Sequence, residues 1–437
     1  VKILSKLFIV ITSIALAFST TACGTGSQKS SGHVVQLVYW NMWTSTWETL
    51  VGKLVDQFNA AHPNIHVTML SVPSNADTKL LTAIASGDPP DVFTEWNPTL
   101  GEYAQRDAIL PLDQFMVGKY SGLKDWLYPI VNKYGSYNGK LYGLGMSMNT
   151  FMLFYNKEMF QQAGLDPNKP PKTIAQLDAD QSKLWKIDSQ GTIHRIGFYP
   201  SWYEVWAPTW NVKMYQGGKY DMNNSNALKL MDWLNWYGKQ YPATQVNAFT
   251  SNFGNATAGD PFVGGEEAFQ INGMWELPTI TQYAPHLKYG VTPLPAPPGG
   301  QNNSTWVNGN FNIIPKFSKH PKEAFEFIAW MAGYDNQQWA AKSLPLGGWI
   351  PASPKIAELP AYQQFLDGNP YRKEFAAIMN SPGDDITPIT PAQQFYETKL
   401  GDAASSVLEQ KKSPAQALSG AQKEVQDEYS TDMKSPY

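Results

Sequence analysis

Four tryptophans stand where their neighbours give them a turn and a polar companion. Trp43 follows the end of an apolar run, and Trp96 lies between Glu95 and Asn97. Trp275 sits in Asn272-Gly273-Met274-Trp275-Glu276, and Trp349 in Leu346-Gly347-Gly348-Trp349-Ile350. A pyranose presents an apolar C–H face and a rim of hydroxyls. A flat indole covers the first, while carboxylates and amides hydrogen-bond the second. The chain holds 16 Trp, 22 Tyr and 20 Phe, so any single ring belongs by default to a core. Trp43 and Trp96 depart from that default because each follows a strand, and open α/β sheets bind ligands beyond the carboxyl ends of their strands.

Reactive chemistry is sparse by comparison. The histidines His33, His62, His66, His194, His286 and His320 are scattered. His62 and His66 have helical spacing, but Pro63 between them works against a metal pair. No nucleophile elbow, phosphate-cradling loop or dinucleotide glycine motif is present. Glu266-Glu267 and Asp384-Asp385 are adjacent acids, whereas glycosidase carboxylates come from separated elements, so both pairs read as surface charge. The expectation is a binding protein with no catalytic residue, no metal and no cofactor.

The elements that must hold these tryptophans follow from hydrophobic periodicity. Val34–Trp40 is a β-branched and aromatic run that reads as a buried strand. Ser45-Thr46-Trp47-Glu48 has the form of a capping box, and Trp47, Leu50, Val51, Leu54, Val55 and Phe58 make one helix face. Ile65–Leu70 reads as a strand, Lys79–Ala85 as a helix, and Asp91-Val92-Phe93 as a third strand after the breaker Gly87-Asp88-Pro89-Pro90. Strand, helix, strand, helix, strand is the signature of a parallel α/β domain. Leu141–Met146 and Phe151–Tyr155 are further strands. Helices are expected from Lys157, from the capping box Thr173-Ile174-Ala175-Gln176, over Ala227–Tyr237, from Pro321 to a cap at Gly333, and from Ser413-Pro414. Pro293–Gly300 marks a loop.

Composition narrows the setting. A chain of 437 residues predicts two or three domains, and 43% hydrophobic residues exclude wholesale disorder. A net charge of −4 argues against nucleic acid as a partner. Only 16% of residues are charged, which would suit an acidic setting where ion pairs contribute little. Lys2 and Lys6 precede an apolar stretch from Leu7 to Phe18, a helix of about 18 Å that is too short to span a membrane. It reads as a signal peptide over residues 1–22. Ser19-Thr20-Thr21-Ala22-Cys23-Gly24 leads to the chain's one cysteine and looks like a lipobox, with Thr20 where leucine is usual. Cys23 is the expected lipidation site, and residues 23–33 a Gly/Ser-rich tether.

Taken together, these segments resemble the extracellular solute-binding proteins of family 1, the sugar-binding lipoproteins of bacterial ABC importers that include maltose-binding protein. The resemblance runs over nearly all of 34–437. It is carried by Leu81–Val92, Tyr155-Asn156-Lys157-Glu158-Met159-Phe160, Pro170-Pro171-Lys172-Thr173, Ile271–Trp275, Asn312–Pro315 and Gly347–Pro351. It implies an α/β, two-lobed periplasmic-binding-protein-like fold of type II, with the ligand cleft between discontinuous lobes. Lobe 1 would comprise 34–147 and 312–366, and lobe 2 would comprise 148–311 and 367–437. It implies a ligand site built from Trp43, Glu95, Trp96, Asn149, Trp202, Trp275, Glu276 and Trp349, with Trp206 and Trp210 near Trp202. The implied partners are a mono- or oligosaccharide, the membrane subunits of an ABC permease, and the membrane itself through lipidated Cys23. The implied protein is extracytoplasmic and monomeric, and captures sugar by hinge closure. A non-sugar solute and a carbohydrate-active enzyme are the alternatives; the absence of arginine among the candidates disfavours an anion.

Overall fold

The computed structural model describes residues 34–96, 99–200, 202–254 and 258–433. The expected signal peptide, Cys23, the tether and Asn97 lie outside the described residues.

The N-terminal alternation folds as expected. β1 (Val35–Asn41), α1 (Ser45–Ala61), β2 (Ile65–Ser71), α2 (Ala76–Ala85) and β3 (Val92–Trp96) follow one another. β1 pairs in parallel with both β2 and β3. The sheet becomes mixed where Asn308–Ile313 adds antiparallel to β3 and Gly143–Asn149 adds antiparallel beyond it. β1 is not buried on both faces: Leu37, Tyr39 and Asn41 point inward, while Gln36 and Val38 face outward. α1 buries Val51, Leu54, Val55 and Phe58 against this sheet, with Trp47 and Leu50 at the margin. It starts one residue earlier than a Ser45 cap requires. Thr44 takes the extended cap conformation, Ser45 opens the helix at a left-handed φ of 56°, and no side-chain cap hydrogen bond forms, so the expected capping box is not made.

The second half is built on a smaller antiparallel sheet. Met152–Asn156 runs between Phe269–Asn272 and Tyr289–Thr292. Its core includes Leu230, Trp233 and Tyr237 of helix Ser225–Gln240, Leu400 and Val407 of helix Gln393–Leu408, and Leu418 and Val425 of helix Pro414–Asp432. Two helix ends lie where the sequence places them. Ser413 and Gln416 close a capping box, and Gly333 caps helix Pro321–Ala332 in the left-handed region at φ 90°. Thr173 accepts from the Gln176 amide, but the Gln176 side chain accepts from Lys172 N, one residue before the expected donor.

Two stretches link the sheets, and a third lies along one of them. Gly143–Asn149 ends in the first sheet and Met152–Asn156 opens the second, so the chain crosses at 150–151. It returns before Asn308. The segment at Ser381–Ile386 lies along this return: Asp385 N donates to Thr305 O, Val307 N to Asp385 O, and Thr305 N to the Asp384 carboxylate.

Candidate functional site

The crossings bring one wall of each half together around a hollow of about 300 Å³, lined by Met42, Trp43, Trp47, Trp96, Asn149, Trp202, Trp275, Asn310 and Trp349. Local backbone chemistry fixes each ring. Asn41, fully buried at the end of β1, accepts from Trp43 N at 3.0 Å and donates to Leu70 O at 3.2 Å. Ser71 Oγ donates to Trp43 O at 2.6 Å, which clamps the loop that carries the indole. Trp349 arrives through a reciprocal backbone pair, Met148 N to Ile350 O at 2.9 Å and Ile350 N to Met148 O at 3.0 Å, and so stands beside Asn149. Trp43 and Trp349 lie 5.7 Å apart with their rings tilted by 40°. Both are largely buried and offer the hollow only part of their surface.

Trp96 closes β3 instead of following it, and is 37% exposed. Its ring meets the buried Trp306 edge-on at 5.9 Å. Trp306 stacks on Phe151 at 5.6 Å, and Phe151 also receives the edges of Trp202 at 5.4 Å and Trp275 at 5.6 Å. Phe151 lies on the crossing itself and joins Trp202 and Trp275 of one wall to Trp96 of the other by way of Trp306. Glycine is required beneath Trp275. A β-carbon on Gly273 would lie 1.9 Å from the Trp275 ring.

Two amides line the hollow. Asn310 accepts from Ser147 Oγ at 2.8 Å. Asn149 Nδ2 donates to Asn308 Oδ1 at 3.3 Å, while buried Asn149 Oδ1 has no hydrogen-bond partner among the described residues. Such an atom is costly unless something donates to it.

Of the expected residues, Trp43, Trp96, Asn149, Trp202, Trp275 and Trp349 converge on this hollow. Glu95 and Glu276 do not line it. Glu95 is packed near Asp77, and burial with that second carboxylate pushes its acid far above the ordinary range. Glu276 is fully buried, accepts from Asn272 Nδ2 at 2.9 Å, and is pushed up to about 9 by burial and by the Asp260 and Glu267 charges. Burial favours the neutral acid at both positions, and the amides Asn149 and Asn310 take the polar role at the hollow's surface. Of the neighbours of Trp202, Trp206 is wholly buried and Trp210 packs against the second core. Sequence reasoning missed Trp47, which read only as a helix-face residue, and Asn310, Phe151 and Trp306, which carry no local signal. Among the described residues no group of three or more His, Cys, Asp or Glu could hold a metal.

Comparison with known proteins agrees with this architecture. CpMnBP1, solved with mannotriose bound, superposes with a TM-score of 0.80 at 33% identity, covering 90% of this chain and all of that one. A putative binding protein of Brucella abortus is 24% identical, over 83% of this chain and 86% of its own. The arabinooligosaccharide-binding protein of Bacillus subtilis is 23% identical, over 97% of this chain and 99% of its own. Residues 53–365 match the family described as bacterial extracellular solute-binding protein. With that match spanning most of its length and the two-lobed fold around a tryptophan-lined cleft, the chain belongs to the bacterial extracellular solute-binding proteins.

Proposed function

We propose that the chain captures a neutral oligosaccharide in the tryptophan-lined cleft and delivers it to an ABC permease. The observation that carries this is the wall itself. Trp43, Trp47, Trp96 and Trp349 from one half face Trp202 and Trp275 from the other, with Asn149 and Asn310 as the polar groups. Indoles cover sugar C–H faces and amides serve hydroxyls. Support also comes from a relative of one-third identity that holds mannotriose.

Lobe 1 is residues 34–147 with 312–366, and lobe 2 is 148–311 with 367–437. The strands Gly143–Asn149 and Asn308–Ile313 overrun those limits by a few residues. Ligand touching both walls favours the closed arrangement by its differential affinity, and the permease reads that arrangement. Glu95 and Glu276 act from behind the walls, as supports for Trp96 and Trp275. The protein works as a monomer, without catalysis. Cys23 carries lipid and the following tether keeps the protein near its permease. Isothermal calorimetry against mannose, glucose and arabinose oligosaccharides, with chromatography of the recovered sugar, tests the reading. Saturable heat with unaltered sugar is expected. Cleaved sugar would overturn the non-enzymatic role, and silence from every sugar would overturn the ligand class.

A further inference from the structure

We infer that the groove continues past Trp202 into a second chamber, which takes further units of the same neutral sugar chain. The inference rests on the sugar-binding reading above. The chamber measures about 290 Å³, with Tyr199, Trp202 and Phe253 among its aromatic walls and Asp260, Glu267 and Gln270 among its polar ones. Trp202 lines both spaces, so it is the partition between them. The first hollow lies at the small end of the ~300–1,000 Å³ range of ligand pockets, and the second nearly doubles the room.

Trp202 is held for this place. Its φ of 55° is in the left-handed region, which a bulky side chain adopts only when its surroundings impose it. The residue is 39% exposed although its ring edge rests on Phe151. A large aromatic that is both strained and open to solvent is what a platform between two sugar units requires.

The chamber's polar groups define its ligand. Gln270 Nε2 donates to both Asp260 oxygens at 3.0 Å, and its Oε1 accepts from Asn272 Nδ2 at 3.3 Å, so the amide is fixed in orientation. Asn272 in turn donates to Glu276, which links this wall to the support of Trp275. Glu267 has no hydrogen bond to its carboxyl among the described residues, and burial beside Asp260 pushes it up to about 8. Among the described residues, no lysine or arginine lines the chamber. Oxygen acceptors without a cation suit hydroxyl donors, and they reject uronate or phosphate groups.

Calorimetry on the full chain with mannobiose, mannotriose and mannotetraose tests this. Affinity is expected to rise at least about tenfold from two units to four. Thr250→Trp, at the exposed rim, should cancel that gain and leave mannobiose binding intact. If that variant melts early, Glu267→Ala should lower tetraose affinity several-fold and spare the biose. Equal affinity for all three lengths, or a gain that survives both substitutions, overturns the second chamber while the sugar reading stands. No heat from these or from glucose and arabinose oligosaccharides overturns both.

Discussion

Gly348 lies directly on the backbone of Trp275: a β-carbon there would stand 2.6 Å from the Trp275 Cα and 2.8 Å from its amide nitrogen. The glycine-rich turn that carries one indole is thus seated on the residue that carries another, across the cleft. Gly348 also has φ +71°, where a side chain is strained. Gly348→Ala should push the turn off Trp275. Expected are a loss of about 1–3 kcal/mol in denaturant unfolding and a weaker ligand affinity in calorimetry. Unchanged values for both would mean the contact carries nothing.

The tryptophans divide by exposure, and their substitutions should divide likewise. Trp96→Ala and Trp202→Ala remove rings more than a third exposed, so each should weaken sugar binding by tenfold or more with little change in melting temperature. Trp43→Ala and Trp349→Ala empty buried volume and should destabilise the protein by about 3–5 kcal/mol as well. Thermal melts paired with calorimetry separate the two classes.

Stability should fall as pH rises. Glu276 is pushed to about 9, Glu267 to about 8 and Asp384 to about 7, each chiefly by burial. A carboxyl raised in the fold holds its proton where the unfolded chain has lost it. Its favourable contribution is complete below about pH 4.5 and is lost as pH climbs through the folded value. Asp385, held low by Lys213 and Lys133, works in the opposite sense, but it is outnumbered in the interior. Melting temperature should be higher at pH 5 than at pH 8, and Glu276→Gln should narrow the difference. A maximum near pH 8 would contradict the assignment.

Intact-mass measurement of the exported chain should find Cys23 diacylated or triacylated, and Cys23→Ser should release the protein into the medium. An unmodified thiol on membrane-retained protein would remove the lipid anchor from the proposal.

The N-terminal half of the first sheet was legible because its strands and helices are local: the period of Trp47 to Phe58 and the breaker Gly87–Pro90 mark their own boundaries. Six of the eight expected site residues meet in one hollow because each sits beside a strand end, a crossing or a turn whose signal is also local. Asn310 was not legible, since its place beside Trp96 and Ser147 arises from pairing across more than 150 residues of chain. Phe151 and Trp306 look like any core aromatic until the crossings stack them. Glu95 and Glu276 look like ligand groups because polarity beside tryptophan is visible in a sequence, whereas the wall a side chain ends behind is not.

Among the described residues, the hollow between the two walls is lined by no Asp, Glu, Lys or Arg. Dispersion and amide hydrogen bonds are short-ranged and indifferent to counterions, unlike charge attraction, which fades beyond a Debye length of about 10 Å at 0.1 M ionic strength. Sugar affinity should therefore be the same in dilute buffer and in roughly 1 M sodium chloride. A receptor built this way forgoes long-range steering of its cargo, and in exchange its grip is independent of the brine or fresh water around the cell.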